Sequence, residues 1–576
     1  MTDQLELVAR AEALSRTEDW PRAATAWQAV VEVNPVNGVH WDRLAQARFA
    51  TGDHAGALCA YQRAEPLGVW PVRGPEPVPL TSIFPGEIAY RIACCHALLG
   101  DHDRAMAALA RAAGAHLRDL DRAATDPILE PLRDDPRFAA LIGRPEHADL
   151  PRIEGWRTDL RTLRHEIGRR VPFPHLVDAG FQAAADDLDQ AIADLDDARI
   201  VVGMWALLRR LSDGHARIDT DEAFPDWSRT LPVWFYLFAE GLFIPQVQPR
   251  HRELLGARVL AVDGRGVPEV IDALDPVLTR DNAYGPTASL PVWLRRPVFL
   301  HAVGVAGDPD TVTLTVALPD GTRRDVTLAA EPGPPPRRWP HECPPDSLRL
   351  TAGTGQPVPA YLREVDNPYW FEHVPAGNLV YFQFNSIGDK PDEPLDRFYQ
   401  RLFRTVDQRD AAALVVDLRW NGGGNTFLAQ PLVHHVIARE RINRRGALFV
   451  IVGRSTFSAA QNTATMFDRH TNAVFVGEPT GSSPNFVGET VPFRLPYSGL
   501  RANVSDLYWQ TSWPFDRRTA IAPDIYTPPT FAAFAAHRDP AMEAILDQLH
   551  RAAPAGGQVT CPPSFPHTVT GLCPPE

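Results

Sequence analysis

The sequence predicts a multidomain protein of mixed class, with an all-helical start, a β domain and an α/β core. Its 576 residues exceed the roughly 100–200 residues of a single domain. A 34-residue repeat near the start predicts paired helices, and apolar runs that alternate with helical stretches predict the α/β core. The expected parts are helical repeats at 1–145, a helical lead-in at 155–220, a β domain at 230–332, a connector at 333–372, the α/β core at 373–550 and a Pro-rich tail at 551–576.

The composition excludes several classes of protein. Hydrophobic residues make up 44% and charged residues 22%, as in soluble globular proteins. A net charge of −14 argues against nucleic acid or an anionic membrane as a partner, because both attract basic surfaces. No segment has the roughly 18 consecutive apolar residues of a membrane span, and the first residues are acidic where a secretory signal is basic. We therefore expect a cytoplasmic protein.

The six cysteines are too few for a disulfide framework, so reduced thiols are expected. Cys561 and Cys573 flank His567 in the tail and could form a disulfide or part of a metal clip. A fourth ligand is not evident in the surrounding sequence, and a structural zinc site needs four. The prediction is that the protein has no metal and no cofactor.

The repeat consists of two stretches that match at an offset of 34 residues. Both have an acidic, a small and an aromatic residue in matching positions, namely Asp19, Ala23 and Trp27 in the first and Asp53, Ala57 and Tyr61 in the second. A third copy runs from Ala89 to Ala113. This period resembles that of tetratricopeptide repeats, which are helix-turn-helix units. Two roles are open for the array: a concave groove for a peptide or protein partner, or a spacer that orients the next domain.

The region after the repeats changes from helical to β character. Apolar residues recur at helical spacing between 155 and 220 and predict a small bundle that ends around Leu211-Ser-Asp-Gly-His215. Strands, an Asp263-Gly264 turn, a helix and a further hairpin follow, and this order resembles a PDZ domain. The Pro- and Gly-rich segment Gly333–Pro359 predicts a surface connector.

Three loops of the α/β core carry residues that suggest chemistry. The first follows Asp417-Leu-Arg419 and contains Gly422-Gly423-Gly424, whose backbone N–H groups could approach an oxyanion. The second carries Ser458 before a helix of small residues, where the helix dipole favours a nucleophile. The third is the turn-rich segment Gly477-Glu-Pro-Thr-Gly-Ser-Ser483. Taken singly, each loop is better explained by an ordinary turn or helix cap.

Taken together, the three loops resemble those of the tail-specific, C-terminal-processing and tricorn-like serine peptidases of family S41. The family has D-L-R-x-N-x-G-G, a serine at a helix start, G-E-x-T and a final P-D, which is Pro523-Asp524 here. The resemblance extends over residues 160–524. It implies a ClpP- or crotonase-like spiral α/β core that hydrolyses peptide bonds through Ser458. The implied oxyanion donors are the backbone N–H of Gly423, with Gly422 as an alternative, and that of Ala459.

The same resemblance implies that a lysine or a histidine activates Ser458. The lysine position of the family falls on Ser483, and Lys390, the only lysine of the chain, lies in a polar segment typical of a solvated loop. The histidine branch takes its base from an upstream Gly-His pair, which corresponds to His215. An imidazole has an ordinary pKa near 6.5 and can accept a proton at neutral pH. His215 is therefore the predicted base.

Other residues stay open as alternatives. His434 and His435, in the predicted helix after the glycine loop, rank behind His215 as bases. The resemblance places the orienting carboxylate late in the core, at Asp516. Glu478 and Glu489 could serve instead, because the glutamate and glycine typical of the family are missing near Asp516.

Three functional hypotheses follow. The leading one is a serine endopeptidase that acts on peptides or unstructured protein segments, with the PDZ-like part guiding the chain and the repeats recruiting it. The second is a catalytically inactive peptide-binding scaffold, because the lysine position holds Ser483. The third is acyl-thioester chemistry on a crotonase-like core, which the Ser458 motif and the PDZ-like insert oppose.

Overall fold

The chain folds into two compact units. The computed structural model describes residues 4–69, 85–115, 117, 120–142, 149–221, 223–332, 338–341, 344–353 and 355–552, so the metal clip considered at Cys561, His567 and Cys573 lies outside the described residues. The first unit comprises Met1–Leu237, Gly241–Arg349 and Gly481–Thr519, and the second Phe238–Glu240, Leu350–Thr480 and Ala520–Glu576. Within the described residues, no helix combines the length and the apolar character that a membrane crossing requires.

The first unit opens with helices that pack side by side in sequence. The carboxylates of Asp19, Asp53 and Asp101 each accept the backbone N–H three residues later and so cap the second helix of a pair. Ala23 and Ala57 are fully buried in the core between the helices. The paired helices are confirmed, and their tetratricopeptide type stays a prediction. The helices are Gln4–Arg16, Trp20–Val33, Gly38–Ala50, His54–Leu67, Pro85–Leu98, His102–Gly114 and Pro136–Ile142.

The helical lead-in ends in a strand of a three-stranded sheet. The strand Arg217–Asp219 pairs antiparallel with Arg501–Gln510, which pairs antiparallel with Asn485–Arg494. Residues 481–519, which the predicted core 373–550 includes, belong to the first compact unit. The pairing joins segments far apart in the chain, and no local pattern reveals it. The lead-in helices are Arg152–Arg170, Ala179–Ala191 and Asp197–Arg209.

The β domain of the first unit is a sheet whose main strands follow the order of the chain. The predicted Asp263-Gly264 turn is present, since both residues have positive φ, 46° and 79°, as hairpin turns require. The predicted helix after the turn is Val267–Leu274. The β character is confirmed, and the PDZ resemblance stays a prediction. The other elements are the strands Val233–Phe238, Gly241–Val247, Arg258–Val262, Arg265–Gly266, Thr311–Ala317, Arg323–Ala329 and Leu348–Arg349 and the unpredicted helices Gly285–Trp293 and Pro297–Ala302.

The second unit contains a six-stranded sheet that is parallel except at one edge. The edge strand Tyr369–Val374 is antiparallel to Leu379–Phe384, so the predicted connector 333–372 ends too late. Gly377 and Asn378 in the intervening turn both have positive φ, a hairpin signal that the prediction missed. The other strands are Ala413–Asp417, Leu448–Val452, Val474–Gly477 and Ile525–Tyr526, and the helices are Ala360–Arg363, Leu395–Gln408, Thr426–Ile437, Ala459–His470, Phe531–Ala535 and Pro540–Ala552.

The predicted alternation of buried strands and helices in this unit is confirmed. Every residue of Leu379–Phe384, Ala413–Asp417 and Leu448–Val452 is buried, as expected for strands covered on both faces. The covering helix Leu395–Gln408 buries Leu395 and the apolar positions that follow it at helical spacing. Because the neighbouring strands are parallel, the loops after them emerge at one edge of the sheet.

Candidate active site

Ser458 lies between the strand Leu448–Val452 and the helix Ala459–His470. Its backbone angles, φ 54° and ψ −127°, are ones that non-glycine residues seldom adopt and that recur at functional sites. The residue is half-buried. A serine is therefore held at a helix N-terminus, where unpaired N–H groups and the helix dipole favour a nucleophile and the negative charge that develops beside it.

Hydrogen bonds tie the Ser458 turn to the glycine loop. The hydroxyl of Thr456 donates to the backbone carbonyl of Leu418 at 2.9 Å. The backbone N–H of Phe457 donates to the carbonyl of Asn421 at 3.1 Å. These two bonds attach residues just before Ser458 to residues just before the glycines, so the strained turn is supported by the neighbouring strand end.

Gly423 lies so close to the Ser458 turn that only glycine fits at this position. It has φ 115°, and a Cβ placed there would lie 2.7 Å from the Cβ of Ser458 and 3.0 Å from the backbone nitrogen of Ala459. Gly424 has φ 136°, and a Cβ there would overlap the carbonyl oxygen of Ile387. Two of the three predicted glycines are thus required by their backbone angle and by close backbone approach.

The backbone donors beside Ser458 differ in part from the prediction. The N–H of Gly423 donates to the side-chain Oδ1 of Asn421 at 2.9 Å, so this predicted oxyanion donor has a partner within its own loop, and its role stays a prediction. The N–H groups of Gly422 and Ala459 have no hydrogen-bond partner among the described residues. Gly422 also has open space where a side chain would project. The donors left for an oxyanion are those of Gly422 and Ala459.

Residues of the G-E-x-T and P-D motifs form hydrogen bonds and an ion pair within the second unit. The guanidinium of Arg454 donates to both carboxylate oxygens of Glu478 at 2.8 and 2.7 Å. The Thr480 hydroxyl accepts the backbone N–H of Ile521 at 2.9 Å. Asp524 accepts a backbone N–H of the strand Val474–Gly477 at 2.9 Å. Glu478, an alternative for the orienting acid, is thus engaged in an ion pair within the second unit.

Three side chains of the second unit were candidate bases for Ser458, namely those of Lys390, His434 and His435. The Ser458 hydroxyl has no hydrogen-bond partner among the described residues of this unit. Lys390 is half-buried, not solvated as predicted: its ammonium lies 4.5 Å from the centre of the Tyr369 ring and donates to the Tyr369 carbonyl at 3.3 Å. His434 is exposed, and His435 stacks on a phenylalanine ring at 4.8 Å.

His215 lies in the first unit, in the loop just before the strand Arg217–Asp219. Its ring stacks on Phe486, with centroids 5.7 Å apart and planes inclined by 11°. Burial, reinforced by the charge of Arg217, lowers the pKa of His215 to about 4, and a hydrogen bond to the backbone of Val487 opposes part of that shift. The imidazole is therefore neutral at pH 7 and able to accept a proton.

A buried carboxylate stands beside His215. Oδ1 of Asp213 lies 3.8 Å from Nδ1 of His215 and accepts its backbone N–H at 2.9 Å. Asp213 also accepts the backbone N–H of Ser505 at 2.9 Å and its hydroxyl at 3.0 Å. Burial raises the pKa of Asp213 to about 6, although these donors favour its charged form.

A second carboxylate, which was not predicted from the sequence, belongs to this cluster. Asp281 accepts the backbone N–H of Gly214 at 2.7 Å and the hydroxyl of Ser482. One oxygen of Asp213, one oxygen of Asp281 and a ring nitrogen of His215 all lie within 4.8 Å of one another. The local signal was an Asp-Asn pair at 281–282, which predicts a turn but does not indicate what the turn faces.

The cluster of Asp213, His215 and Asp281 is also the group, among the described residues, whose atoms come close enough together to hold a metal ion. Both carboxylates already accept hydrogen bonds from backbone N–H groups and serine hydroxyls. This donor set suits charged carboxylates arranged around an imidazole, and it provides only three of the four ligands of a structural zinc site.

The predicted acid Asp516 lies in the first unit and is engaged elsewhere. Its carboxylate accepts two guanidinium N–H groups of Arg518, at 3.1 and 2.8 Å, and the hydroxyl of Ser512 at 2.6 Å. These donors hold the pKa of Asp516 well below its usual range. No hydrogen bond joins Asp516 to His215, so the structure does not support Asp516 as its partner. Glu489, the other alternative, lies in a hairpin strand with φ 63°.

The match of the α/β core to a peptidase family identifies a serine-type peptidase, which is a hydrolase. Residues 378–527 match Peptidase family S41. Comparison with curated proteins gives no match.

Solved structures similar to the chain have low sequence identity. Mature CPAF is 12% identical to this chain, with a TM-score of 0.49. The aligned region covers 70% of this chain and 99% of mature CPAF. The photosystem II D1 C-terminal processing protease is 13% identical with a TM-score of 0.35, covering 68% and 96%. A putative S41 protease from Bacteroides fragilis is 14% identical with a TM-score of 0.31, covering 68% and 98%.

The short distance between Gly423 and the Ser458 turn predicts that a methyl group at Gly423 lowers the reactivity of the site. Gly423→Ala should lower the rate at which a fluorophosphonate probe labels Ser458 at least about 100-fold, because the added Cβ overlaps the Ser458 turn and displaces the Ala459 N–H. The matched control is Gly388→Ala, whose Cβ meets no atom within 4 Å. Labelling of Gly423→Ala within a factor of two of the control would contradict this prediction.

Proposed function

We propose that the chain is a serine endopeptidase of the tail-specific, tricorn-like type, which hydrolyses peptide bonds in peptides or unstructured protein segments. Ser458 is the nucleophile and His215 the general base. The observation that carries the proposal is the strained Ser458 turn, with a φ of 54° at a helix N-terminus and two unpaired N–H groups beside it. An ordinary helix cap does not require this backbone strain.

The chemistry follows from these groups. The Ser458 oxygen attacks the carbonyl carbon of the scissile bond while His215 takes the hydroxyl proton. The N–H groups of Gly422 and Ala459 stabilise the oxyanion, which then collapses and expels the amine. His215 returns its proton to that amine, and a water molecule repeats the sequence on the acyl-enzyme to regenerate Ser458.

Two observations support His215 as the base. The second unit holds no base at Ser458 among its described residues, and its lysine and histidines are exposed or occupied. The imidazole of His215, whose pKa is lowered to about 4, is neutral throughout the physiological range, as a proton acceptor has to be. The family motif Asp213-Gly214-His215 adds the third argument.

The remaining parts have supporting roles in this proposal. The PDZ-like sheet guides the substrate chain, and the helical array binds an unfolded substrate or a protein partner on its concave side. The groove between its helices has a volume of about 270 Å³ and is lined by aromatic and charged side chains, including Tyr61, Tyr90, Arg91 and Asp126. The protein acts in the cytoplasm and needs no metal or cofactor for this chemistry.

Removal of the imidazole tests the proposal. His215→Ala should lower both fluorophosphonate labelling and hydrolysis of an unfolded protein such as reduced casein by about 10²- to 10⁴-fold, the usual contribution of a general base. His434→Ala is the matched control, because His434 is exposed and should leave both rates unchanged. Equal rates for wild type and His215→Ala would contradict the assignment of the base. Casein binding by the wild type without cleavage would favour the inactive scaffold instead.

A further inference from the structure

We propose that Asp281 is the positioning residue of His215: it holds the Gly214-His215 turn with one oxygen and supports the imidazole with its negative charge, the role that the sequence predicted for Asp516. The inference rests on the proposed function and names a residue that the family motifs do not include. It concerns side chains of the first unit alone.

The contacts of Asp281 reach the turn of His215 directly. Its Oδ1 accepts the N–H of Gly214 at 2.7 Å, one residue before the imidazole. Its second oxygen accepts the hydroxyl of the fully buried Ser482. An oxygen of Asp281 lies within 4.8 Å of a ring nitrogen of His215. The carboxylate is thus close enough to stabilise an imidazolium electrostatically, and it is too strongly bound to move away.

The loop that carries Asp281 is itself fixed. The side-chain oxygen of Asn282 accepts the N–H groups of Tyr284 and Gly285 at 2.9 and 3.0 Å, and its amide donates to the carbonyl of Thr519 at 2.7 Å. A Cβ on Gly285 would lie 2.9 Å from the carbonyl oxygen of Gly481. The Asp281 loop therefore lies directly against the segment that supplies Ser482.

The groups that face Asp281 explain its titration. Burial raises the pKa of Asp281 to about 7, and the nearby charge of Asp213 adds to the increase. The bonds from Ser482 and Gly214 act in the opposite direction, because they favour the charged form. The other titratable groups nearby are His215, which is neutral near pH 7, and Arg217, whose charge acts on His215. Asp281 is therefore neutral below about pH 7 and charged above it.

Asp516 lacks these properties. Arg518 compensates the charge of its carboxylate, which also accepts the hydroxyl of Ser512, and no hydrogen bond or ion pair joins Asp516 to His215. With its pKa held well below the usual range, Asp516 keeps the same charge throughout the working pH range. It therefore contributes no change in the environment of His215 near neutral pH.

The pH dependence of fluorophosphonate labelling tests the inference. For the wild type, the rate should rise with pH through a midpoint near 7, as Asp281 gains its charge. Asp281→Asn can keep the bond to Gly214 but has no charge. Its rate should fall about 10- to 100-fold at pH 8 and should not change between pH 6 and 8. The fall is smaller than the roughly 10⁴-fold loss for an acid bonded directly to the base.

Two further variants separate this role from a merely structural one. Ser482→Ala removes a donor that favours the charged carboxylate, so the midpoint should move above 7. Asp516→Asn is the matched control and should keep the midpoint of the wild type. A midpoint near 7 retained in Asp281→Asn, or lost in Asp516→Asn, would overturn the inference.

A measurement without turnover distinguishes failure of the inference from failure of the proposed function. If the probe does not label the wild type at any pH, the proposed function fails. The ¹⁵N resonances of the His215 ring still report on Asp281: a step near pH 7 that is present in the wild type and absent in Asp281→Asn supports the inference. The same step in both proteins contradicts it.

Discussion

Ser458→Ala is expected to abolish fluorophosphonate labelling and to lower the hydrolysis of unfolded protein by about 10⁶-fold, the loss typical of a missing serine nucleophile. The remaining groups can still bind substrate and polarise its carbonyl, but no oxygen is in place to attack it. The measurement is the initial rate of casein cleavage, together with probe labelling followed by mass spectrometry of the labelled peptide.

The same turn provides the controls for this experiment. Ser455 lies three residues before Ser458 in the same connection, and Ser455→Ala should retain labelling. Ser458→Gly should be as inactive as Ser458→Ala, but its unfolding midpoint should not fall, because glycine adopts a φ of 54° without strain. Labelling that persists in Ser458→Ala would place the nucleophile elsewhere and overturn the proposed function.

Arg419→Ala is expected to destabilise the second unit by about 3–5 kcal/mol, the cost of leaving buried charges without their partner. Arg419 donates to Asp417 at 2.9 Å and to both oxygens of Asp539 at 3.0 and 2.9 Å. Its guanidinium also lies 4.6 Å from the centre of the Tyr361 ring, and the hydroxyl of Tyr381 donates to Asp417 at 2.7 Å. The loss should appear as a lower urea midpoint of unfolding.

Two further variants serve as controls for Arg419→Ala. Arg419→Lys should recover only part of the stability, because one ammonium cannot bond two carboxylates in the fork geometry of a guanidinium. Arg538→Ala removes an exposed ion pair with Glu543 and should change the free energy of unfolding by less than about 1 kcal/mol. Equal midpoints for Arg419→Ala and Arg538→Ala would show that the buried network contributes little to stability.

Local patterns predicted much of the fold. The repeated acidic residues at Asp19 and Asp53 cap helices, and the Asp263-Gly264 pair forms a hairpin turn with both φ values positive. Both signals depend on residues within one turn of each other. The three-stranded sheet was missed because Arg217–Asp219 is short and pairs with Arg501–Gln510, a hairpin strand far along the chain. Such pairing depends on register between distant segments.

The candidate site shows the same division. The positions of Ser458 and of the glycine loop followed from strand and helix boundaries and from the family motifs. The hydrogen bond from the Gly423 N–H to Asn421 could not be predicted in this way. Both groups lie in one loop, and the sequence offers several donors for one acceptor. Asp516 was predicted by its place in the chain, whereas its partner is set by the nearby Arg518.

The sequence by itself determined the helix pairs, the buried parallel strands and the serine at the head of a helix, because capping, hydrophobic periodicity and turn chemistry act between near neighbours. Only the tertiary structure decided which polar groups meet. Among the described residues, the N–H groups of Gly422 and Ala459 keep no hydrogen-bond partner. Asp281 lies next to His215, and the burial of both makes the donors and charges of their neighbours decisive.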